Sequence, residues 1–221
     1  MSSREAILQR ARRALADVPA GDPADDVPVV RAEPSRLLTL EQVVSLFAER
    51  VADYRATVER ISADQVAGAV RAALAERTAP GTARLLVPRD LPDGLVPTGD
   101  EVGIDVGIEV VLDGPDVPIA ELDRCDAVLT TARVAVAETG TVVLDHGPGQ
   151  GRRAASLIPD LHLCLVREHQ VRHGVPEAIA ELDPLRPQTW ISGPSATSDI
   201  ELDRVEGVHG PRTLHVLIAA D

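Results

Sequence analysis

The residues best suited to chemistry are concentrated near the carboxyl terminus, in residues 190–211. Glycines, small hydroxyl residues and a carboxylate follow an apolar strand end there. Ser198 and Glu201 have the spacing of a capping box, so a helix should begin near Asp199. The backbone N–H groups at such a helix start bind phosphate or carboxylate without a lysine. A well-capped connection would explain Ser198 and Glu201 but not the whole loop. We therefore predict an anion site formed by Gly193, Ser195, Thr197, Ser198 and Asp199.

A second glycine-rich element, residues 207–211, follows at once and contains His209. The glycines Gly207 and Gly210 let a ligand or a backbone come close, so both are candidate ligand-binding residues. A histidine between them could donate to a substrate oxygen, which makes His209 a candidate catalytic residue. The alternative is a structural loop histidine.

A carboxylate next to a tight turn is the second catalytic candidate. Glu138 lies beside Thr139, Gly140 and Thr141, between two apolar segments. If this turn is partly buried, the loss of hydration would raise the pKa of Glu138, which suits a general base or a nucleophile. Thr139, Gly140 and Thr141 are candidate ligand-binding residues. The alternative is a carboxylate that caps a short turn while Gly140 supplies the bend.

Residues 145–156 form another glycine-rich loop, in which three glycines precede Arg152 and Arg153. Such a loop could cradle an anion, so both arginines are candidate ligand-binding residues. The loop lacks the Gly-Lys-Ser/Thr ending of a phosphate-binding P-loop and the third glycine of a dinucleotide fingerprint. The alternative is a mobile hairpin with solvated arginines.

The composition limits the class of protein. A net charge of −13 argues against nucleic acid as a partner. Aromatic residues make up 1% of the chain, so the core must be aliphatic. Cys125 and Cys164 have apolar neighbours and are expected to be reduced core thiols. The chain has no Cys-x-x-Cys pair, no metal-ligand set and no flavin or nicotinamide fingerprint, so we predict no metal and no cofactor. It shows no signal peptide and no membrane span, which predicts a cytoplasmic protein.

The first third of the chain has helical periodicity. Ser2 and Glu5 form a capping-box pattern before a short amphipathic helix, and residues 17–36 resemble an extended linker. Two more helices are predicted, one after Thr39 with an apolar stripe that runs to Ile61 and one after Ser62. We expect residues 1–38 to be a helical arm with a linker and residues 39–221 to be one α/β domain, with residues 39–79 as its helical part.

From Arg84 onward the apolar residues occur in short continuous runs, which are typical of strands buried on both faces of a parallel sheet. Helical pieces fit between the runs, for example residues 169–182. This order predicts a three-layer α/β/α fold with a mostly parallel sheet, in which ligands bind beyond the carboxyl ends of the strands. His162 and His215 lie inside such runs and are expected to be core histidines. The predicted strands are Arg84–Val87, Val106–Leu112, Ala127–Thr131, Thr141–Leu144, Leu161–Val166, Gln188–Ile191 and Leu214–Ile218.

Four sequence segments, given at the end of this paragraph, together resemble the LUD-domain family, which is the family of lactate utilization protein C. The Ser-Gly-Pro-Ser…Asp-Ile-Glu and Val-His-Gly-Pro elements, in this order and spacing, are specific, and the resemblance covers roughly residues 80–221. The segments are residues 137–141, residues 156–159 with His162, residues 191–201, and residues 207–211 with 214–216.

The resemblance implies a fold similar to that of sugar isomerases, CoA-transferases and formyltetrahydrofolate cyclo-ligases. It also implies a role in the oxidation of L-lactate to pyruvate within a three-protein system, whose partners carry the cysteine clusters of iron–sulfur proteins. CoA-transferases of that fold resemble this chain in placing a nucleophilic Glu in a Glu-x-Gly turn, which is the form of residues 138–140.

Two functions of different classes follow. In the first, the chain is a non-redox accessory subunit of a lactate-oxidizing system, with iron–sulfur protein partners and a small anionic ligand. In the second, it is a stand-alone enzyme that acts on a CoA ester, a nucleotide or a phosphorylated small molecule, with Glu138 as nucleophile. Both leave a homo-oligomer open.

Overall fold

The structure is a computed structural model that describes residues 2–18, 38–77, 81–97, 106–197, 205–206 and 210–220. The chain divides into two compact units, Met1–Pro34 and Ser35–Asp221. The first unit contains helix α1 (Ser3–Ala14), and the predicted capping box is confirmed there. Glu5 N–H donates to Ser2 Oγ over 3.2 Å, and Ser2 N–H donates to Glu5 Oε2 over 2.7 Å.

The second unit is built on a sheet of six strands that are all parallel, in the order β1-β12-β7-β4-β2-β3. The apolar runs of the sequence form five of its strands, with bounds within three residues of the predicted ones. The strands are β1 (Thr57–Ile61), β2 (Gly81–Val87), β3 (Val106–Leu112), β4 (Ala127–Thr131), β7 (Leu161–Arg167) and β12 (Thr213–Ala219).

Two of the predicted strands belong to a second, smaller sheet of mixed direction. Its order is β8-β5-β6-β9, with β6 antiparallel to both of its neighbours. The predicted parallel arrangement is therefore confirmed for five of the seven predicted strands, whereas residues 141–144 and 189–191 pair antiparallel in the smaller sheet. These shorter strands are β5 (Val134–Val136), β6 (Thr141–Leu144), β8 (Val171–Arg172), β9 (Thr189–Ile191), and the separate antiparallel pair β10 (Ala196–Thr197) and β11 (Val205–Glu206).

Two helices cover opposite faces of the parallel sheet. Helix α2 (Leu40–Asp53) packs with Cys164 and Val166, whereas helix α3 (Val66–Arg77) packs with Leu163 and Leu165. Since neighbouring strand residues point to opposite faces, these alternating partners put the helices on either side. The cluster around α2 also contains residues of β6, so the second sheet shares that face. Short helices α4 (Ile119–Leu122) and α5 (Val175–Ile179) and two single 3₁₀ turns, Ala63–Gln65 and Glu168–Gln170, complete the described elements.

Two helical predictions are wrong in part. The apolar stripe predicted to continue to Ile61 ends as helix at Asp53, because Arg55 has a left-handed φ of 65° and β1 then pairs with β12. The helix predicted over residues 169–182 is reduced to α5, since Val171–Arg172 joins β5 and Pro176 lies in the first turn of α5.

The strand order contains a reversal of direction. From β2 the chain moves outward to β3, and it then returns to β4 on the other side of β2. The carboxyl ends of β2 and β4 therefore flank a topological switch point, which is where open α/β sheets bind ligands.

Both cysteines are buried and free, as the sequence predicts. In the described ranges, no helix is long and apolar enough to cross a membrane.

Candidate functional site

A cavity of about 280 Å³ lies where the glycine-rich loops of the second unit meet. We call it the loop cavity. Four of the predicted ligand-binding residues line it, namely Arg153, Gly193, Ser195 and Gly210. The two loops that resemble the LUD-domain motifs are joined directly, because Ser195 N–H donates to the carbonyl oxygen of Pro211 over 2.9 Å. Residues 193–195 and residues 210–211, which are separated in the sequence, thus form one wall of the loop cavity.

The loop cavity lies at the amino ends of the parallel strands, whereas a site at their carboxyl ends was expected. His162 and Leu214, which line it, are each the second residue of a parallel strand, β7 and β12. The cavity is therefore at the amino ends of these strands, whereas the sequence predicted a site beyond the carboxyl ends. The expectation failed because the loops that build the cavity follow β9 and precede β12, and β9 belongs to the second sheet.

Arg153 supplies the positive charge of the loop cavity. Its Nη1 donates to Oγ of the buried Ser156 over 3.3 Å. Among the described residues Arg153 has no ion-pair partner, so its charge is available to a ligand. A guanidinium binds a carboxylate or a phosphate through two parallel hydrogen bonds.

His162 adds a buried imidazole to the same cavity. Its Nε2 lies 2.8 Å from Thr130 Oγ1, and the Thr130 hydroxyl donates to Cys164 Sγ over 3.7 Å. A Thr hydroxyl can donate to or accept from an imidazole nitrogen, so this contact fits either tautomer. In the tautomer with the proton on Nε2, the ring donates to Thr130. Nδ1 is then an acceptor, and it has no hydrogen-bond partner in the described part of the chain. His162 is a buried core histidine, as predicted, and its Nε2 has a hydrogen-bond partner. The same side chain also lines the loop cavity.

The protonation state of His162 follows from its surroundings. Burial and, as a smaller cause, the nearby charge of Arg153 together lower the pKa of His162 from 6.5 to about 4. The imidazole is therefore neutral at physiological pH. A neutral ring with a free acceptor beside a guanidinium suits a ligand that has both an anionic group and a hydrogen-bond donor.

The turn that contains Glu138 does not place its carboxylate in the loop cavity. The Glu138 side chain is 52% exposed, and its Oε1 lies 3.8 Å from His173 Nδ1. The partial burial on which the predicted catalytic role depends is absent at this carboxylate. A chain of hydroxyls does connect the turn to the cavity, with Thr139 Oγ1 and Ser192 Oγ each 2.7 Å from Thr141 Oγ1.

Gly140 and Gly193 cannot be replaced by a larger residue without strain, because both pack directly against the end of helix α2 or the residue after it. Gly140 has φ 57°, and a Cβ atom there would lie 2.6 Å from the backbone carbon of Arg50. Gly193 has φ 85°, and a Cβ atom there would lie 2.7 Å from Tyr54 Cβ. The end of α2 and the residue after it therefore hold both turns in place, and the packing explains both glycines.

Residues 147–152 of the glycine-rich loop are held by carboxylates, whereas Arg153 and Ser156 at its end line the loop cavity. Asp113, whose side chain is 4% exposed, accepts from Arg152 Nε over 2.7 Å and from Arg152 N–H over 3.3 Å. Gly149 N–H donates to Asp90 over 3.1 Å, and Gly147 N–H donates to Asp145 over 3.0 Å. Of the two arginines, Arg152 is thus engaged in the protein's own structure, and Arg153 faces the cavity.

Several predicted site residues lie outside the described residues, namely Ser198, Asp199, Gly207 and His209. The backbone of Thr197 is described and pairs with Val205 in the β10–β11 ribbon. Their ligand-binding and catalytic roles remain predictions. Within the ranges given above, no group of three or more His, Cys, Asp or Glu side chains is arranged to hold a metal ion.

Sequence reasoning missed the roles of Thr130, Ser156 and Ser192 in the cavity. Thr130 is a strand residue without a motif, so its contact with His162 depends on the pairing of β4 with β7. Ser156 and Ser192 lie within the segments that resemble the LUD-domain family, residues 156–159 and 191–201, and this was a signal that could have identified them.

The chain is an α/β protein with a small polar cavity between its glycine-rich loops. Its similarity to known proteins identifies the family. The LUD domain model matches residues 119–219. A lactate utilization protein C from Deinococcus radiodurans is 46% identical over 82% of this chain and 81% of its own length. The lactate utilization protein C of Bacillus subtilis is 30% identical over 47% of this chain. A crystal structure of a DUF162 family protein from Deinococcus radiodurans superposes with a TM-score of 0.64 at 40% identity, covering 82% of this chain and 99% of that one. The chain belongs to the LUD-domain family.

Proposed function

We propose that this chain is a non-redox component of an L-lactate utilization system and that its loop cavity binds a small 2-hydroxy carboxylate. The relatives named lactate utilization protein C support the process. The observation that carries the ligand class is the pair formed in one cavity by the buried His162 and by Arg153, which has no ion pair with the described residues.

The two side chains match the two polar groups of L-lactate. The Arg153 guanidinium would bind the carboxylate, and the hydroxyl would donate to Nδ1 of His162. Pyruvate has the same carboxylate but a carbonyl in place of the hydroxyl, so it cannot donate to Nδ1. A site built in this way should prefer L-lactate to pyruvate, because an unpaired acceptor costs binding free energy.

The redox balance requires partners. Oxidation of L-lactate to pyruvate releases two electrons and two protons, and this sequence has two cysteines and no Cys-x-x-Cys pair. In the proposed system, iron–sulfur protein subunits accept the electrons, and this chain binds and orients the carboxylate without a cofactor of its own. We place the assembly in the cytoplasm. Arg152, Glu138 and the Thr139–Thr141 turn support the fold around the site rather than contact the ligand.

The stand-alone enzyme remains the second hypothesis, but no contact described above favours it. It requires Glu138 to attack an acyl group, and the exposed position of that carboxylate outside the loop cavity supplies no such environment. Acyl transfer that is lost in a Glu138→Gln variant would support it.

The proposal is tested by isothermal titration calorimetry of the purified chain with L-lactate and with pyruvate. We expect saturable binding of L-lactate, weaker binding of pyruvate, and at least a tenfold loss of L-lactate affinity in Arg153→Gln. The matched control is Arg124→Gln, which removes the same charge at a side chain that is 69% exposed and away from the cavity. Equal affinities of Arg153→Gln and the wild type would contradict the assignment of the site.

A further inference from the structure

A second and larger cavity lies at the opposite edge of the parallel sheet. We call it the switch-point cavity; its volume is about 550 Å³, which is within the usual range for small-molecule sites. Pro92 and Leu95, which follow β2, line one side, and Thr131 and Arg133, at the end of β4, line another. The cavity thus lies between the carboxyl ends of β2 and β4, on the two sides of the reversal in strand order. Its arginines Arg133, Arg167 and Arg186 belong to none of the sequence motifs, although Asp145, Pro148 and Gln150 of the glycine-rich loop also line it, and the proposed lactate site does not include it.

Three arginines line the switch-point cavity, and two of them have no ion-pair partner among the described residues. Arg186 is paired, with its Nη1 3.3 Å from Asp145 Oδ2. Arg133 donates from Nη2 to a backbone carbonyl, that of Glu181, over 2.9 Å, and Arg167 makes no side-chain hydrogen bond with the described residues. The lining thus has three arginines and three carboxylates, and two of its guanidiniums form no ion pair with the described residues.

Two of the three carboxylates of the same cavity are paired with arginines. Asp145 is held by Arg186, and Glu181 is paired with Arg172, which lies outside the lining. Asp183 is exposed, and its Oδ1 accepts from the N–H of Leu185 over 2.9 Å. Of the lining carboxylates, Asp183 is therefore the one that forms no ion pair with the described residues, and Arg133 and Arg167 are the two guanidiniums in the same state.

The walls of the cavity are held by the side chains of the buried Gln150 and the half-buried Gln170. Gln150, which is 4% exposed, donates from Nε2 to Asp145 Oδ1 over 2.8 Å and accepts from Asp145 N–H over 2.6 Å. Gln170 accepts from Arg167 N–H over 2.8 Å and donates to the carbonyl of Ala132 over 2.8 Å, which ties the end of β7 to the loop after β4. The backbones that position Arg133 and Arg167 are therefore fixed relative to each other.

We propose that the switch-point cavity binds a phosphorylated small molecule, with Arg133 and Arg167 holding the phosphate group. A phosphate monoester carries a charge between about −1.5 and −2 near pH 7, which matches two guanidiniums, whereas a simple carboxylate carries only one charge. Leu95, Leu165 and Pro92 supply an apolar side for the organic part of the ligand. This site is separate from the loop cavity, so the chain would bind two different anions at opposite edges of one sheet.

The test uses inorganic pyrophosphate and glycerol 3-phosphate as probes, with isothermal titration calorimetry of the full chain at fixed ionic strength. We expect one saturable site for each probe and at least a tenfold loss of affinity in Arg167→Gln and in Arg133→Gln. Two controls remove one positive charge elsewhere, Arg124→Gln on the surface and Arg153→Gln in the loop cavity, and both should bind the probes like the wild type.

The result that overturns the proposal is the absence of saturable binding to the wild type, or a loss in Arg124→Gln equal to that in Arg167→Gln. If Arg167→Gln does not fold, Arg167→Lys keeps the charge but loses the paired hydrogen bonds, and it should weaken binding to a smaller extent. Because Arg153→Gln is expected to lose L-lactate but keep the phosphate probes, failure here is distinguishable from failure of the lactate proposal.

Discussion

His162 Nε2 and Thr130 Oγ1 lie 2.8 Å apart across neighbouring parallel strands, and this contact sets the chemistry of the loop cavity. In the proposed lactate complex the ring proton lies on Nε2, towards Thr130, and Nδ1 is the acceptor for the lactate hydroxyl. The account of the site depends on this neutral form, so its first consequence is a dependence of stability on pH.

The native state should lose stability as the pH falls from 6.5 towards 4, in part because of His162. Its pKa is lowered from 6.5 to about 4 in the fold, so over this range the unfolded chain takes up a proton that the folded chain does not. The loss levels off below the folded pKa and amounts to about 3 kcal/mol for a shift of this size. Urea unfolding at pH 7 and at pH 4.5 measures it.

The His162→Gln variant isolates this effect from that of the carboxylates. It should show a smaller loss of stability between the two pH values than the wild type, whereas His169→Gln, which removes an exposed histidine, should keep the wild-type loss. Parallel pH profiles for the wild type and His162→Gln would show that His162 is not held neutral by the fold.

Gly140→Ala should destabilise the fold by about 3 kcal/mol, since an added Cβ meets the backbone of Arg50 and φ is 57°. The matched control is Gly94→Ala, where φ is 80° but no described heavy atom lies within 4 Å of the added Cβ. The control should cost about 1 kcal/mol, from the left-handed backbone alone. Equal unfolding free energies of the two variants in urea would mean that the contact with α2 adds nothing.

Arg152 and Arg153 are neighbours with different expected roles. Arg152→Gln should lower the free energy of unfolding by about 2–3 kcal/mol, because it leaves the buried carboxylate of Asp113 without its partner. Arg153→Gln should leave stability nearly unchanged and affect ligand affinity instead. Chemical denaturation of both variants, together with L-lactate titration, separates the roles; a stability loss of the same size in Arg153→Gln would argue against them.

Cys164 should be inert in the folded protein. Burial raises the pKa of its thiol to about 12, and burial also raises the pKa of Cys125. A thiol-specific disulfide reagent at pH 8 should therefore detect two thiols in urea and almost none in the native protein within the same time. Rapid reaction of one thiol under native conditions would contradict the packing around these cysteines.

The parallel sheet could be predicted from the sequence because its inner strands are apolar at consecutive positions. β7 is buried at six positions in succession, and β4 at four. β1 was assigned to a helix because its residues Thr57–Ile61 contribute half-buried and exposed positions at the sheet edge, where periodicity is weak. The strand β5 has three residues, which is too short for a periodic signal.

The members of the loop cavity could be predicted in part, but its position could not. Gly193, Ser195, Gly210 and Arg153 were selected by residue type and spacing, and the structure brings them together. Their location at the amino ends of β7 and β12 depends on strand order and on the second sheet, which local sequence does not encode. The switch-point cavity was missed for the same reason, since Arg133 and Arg167 belong to no motif and become neighbours only when β4 pairs with β7.

The most direct test of the central claim is a crystal structure of the chain grown with L-lactate at ten times its dissociation constant. The account predicts lactate in the loop cavity, with its carboxylate on the Arg153 guanidinium and its hydroxyl within hydrogen-bond distance of His162 Nδ1. Lactate bound elsewhere, or a loop cavity that holds no lactate at that concentration, would contradict it.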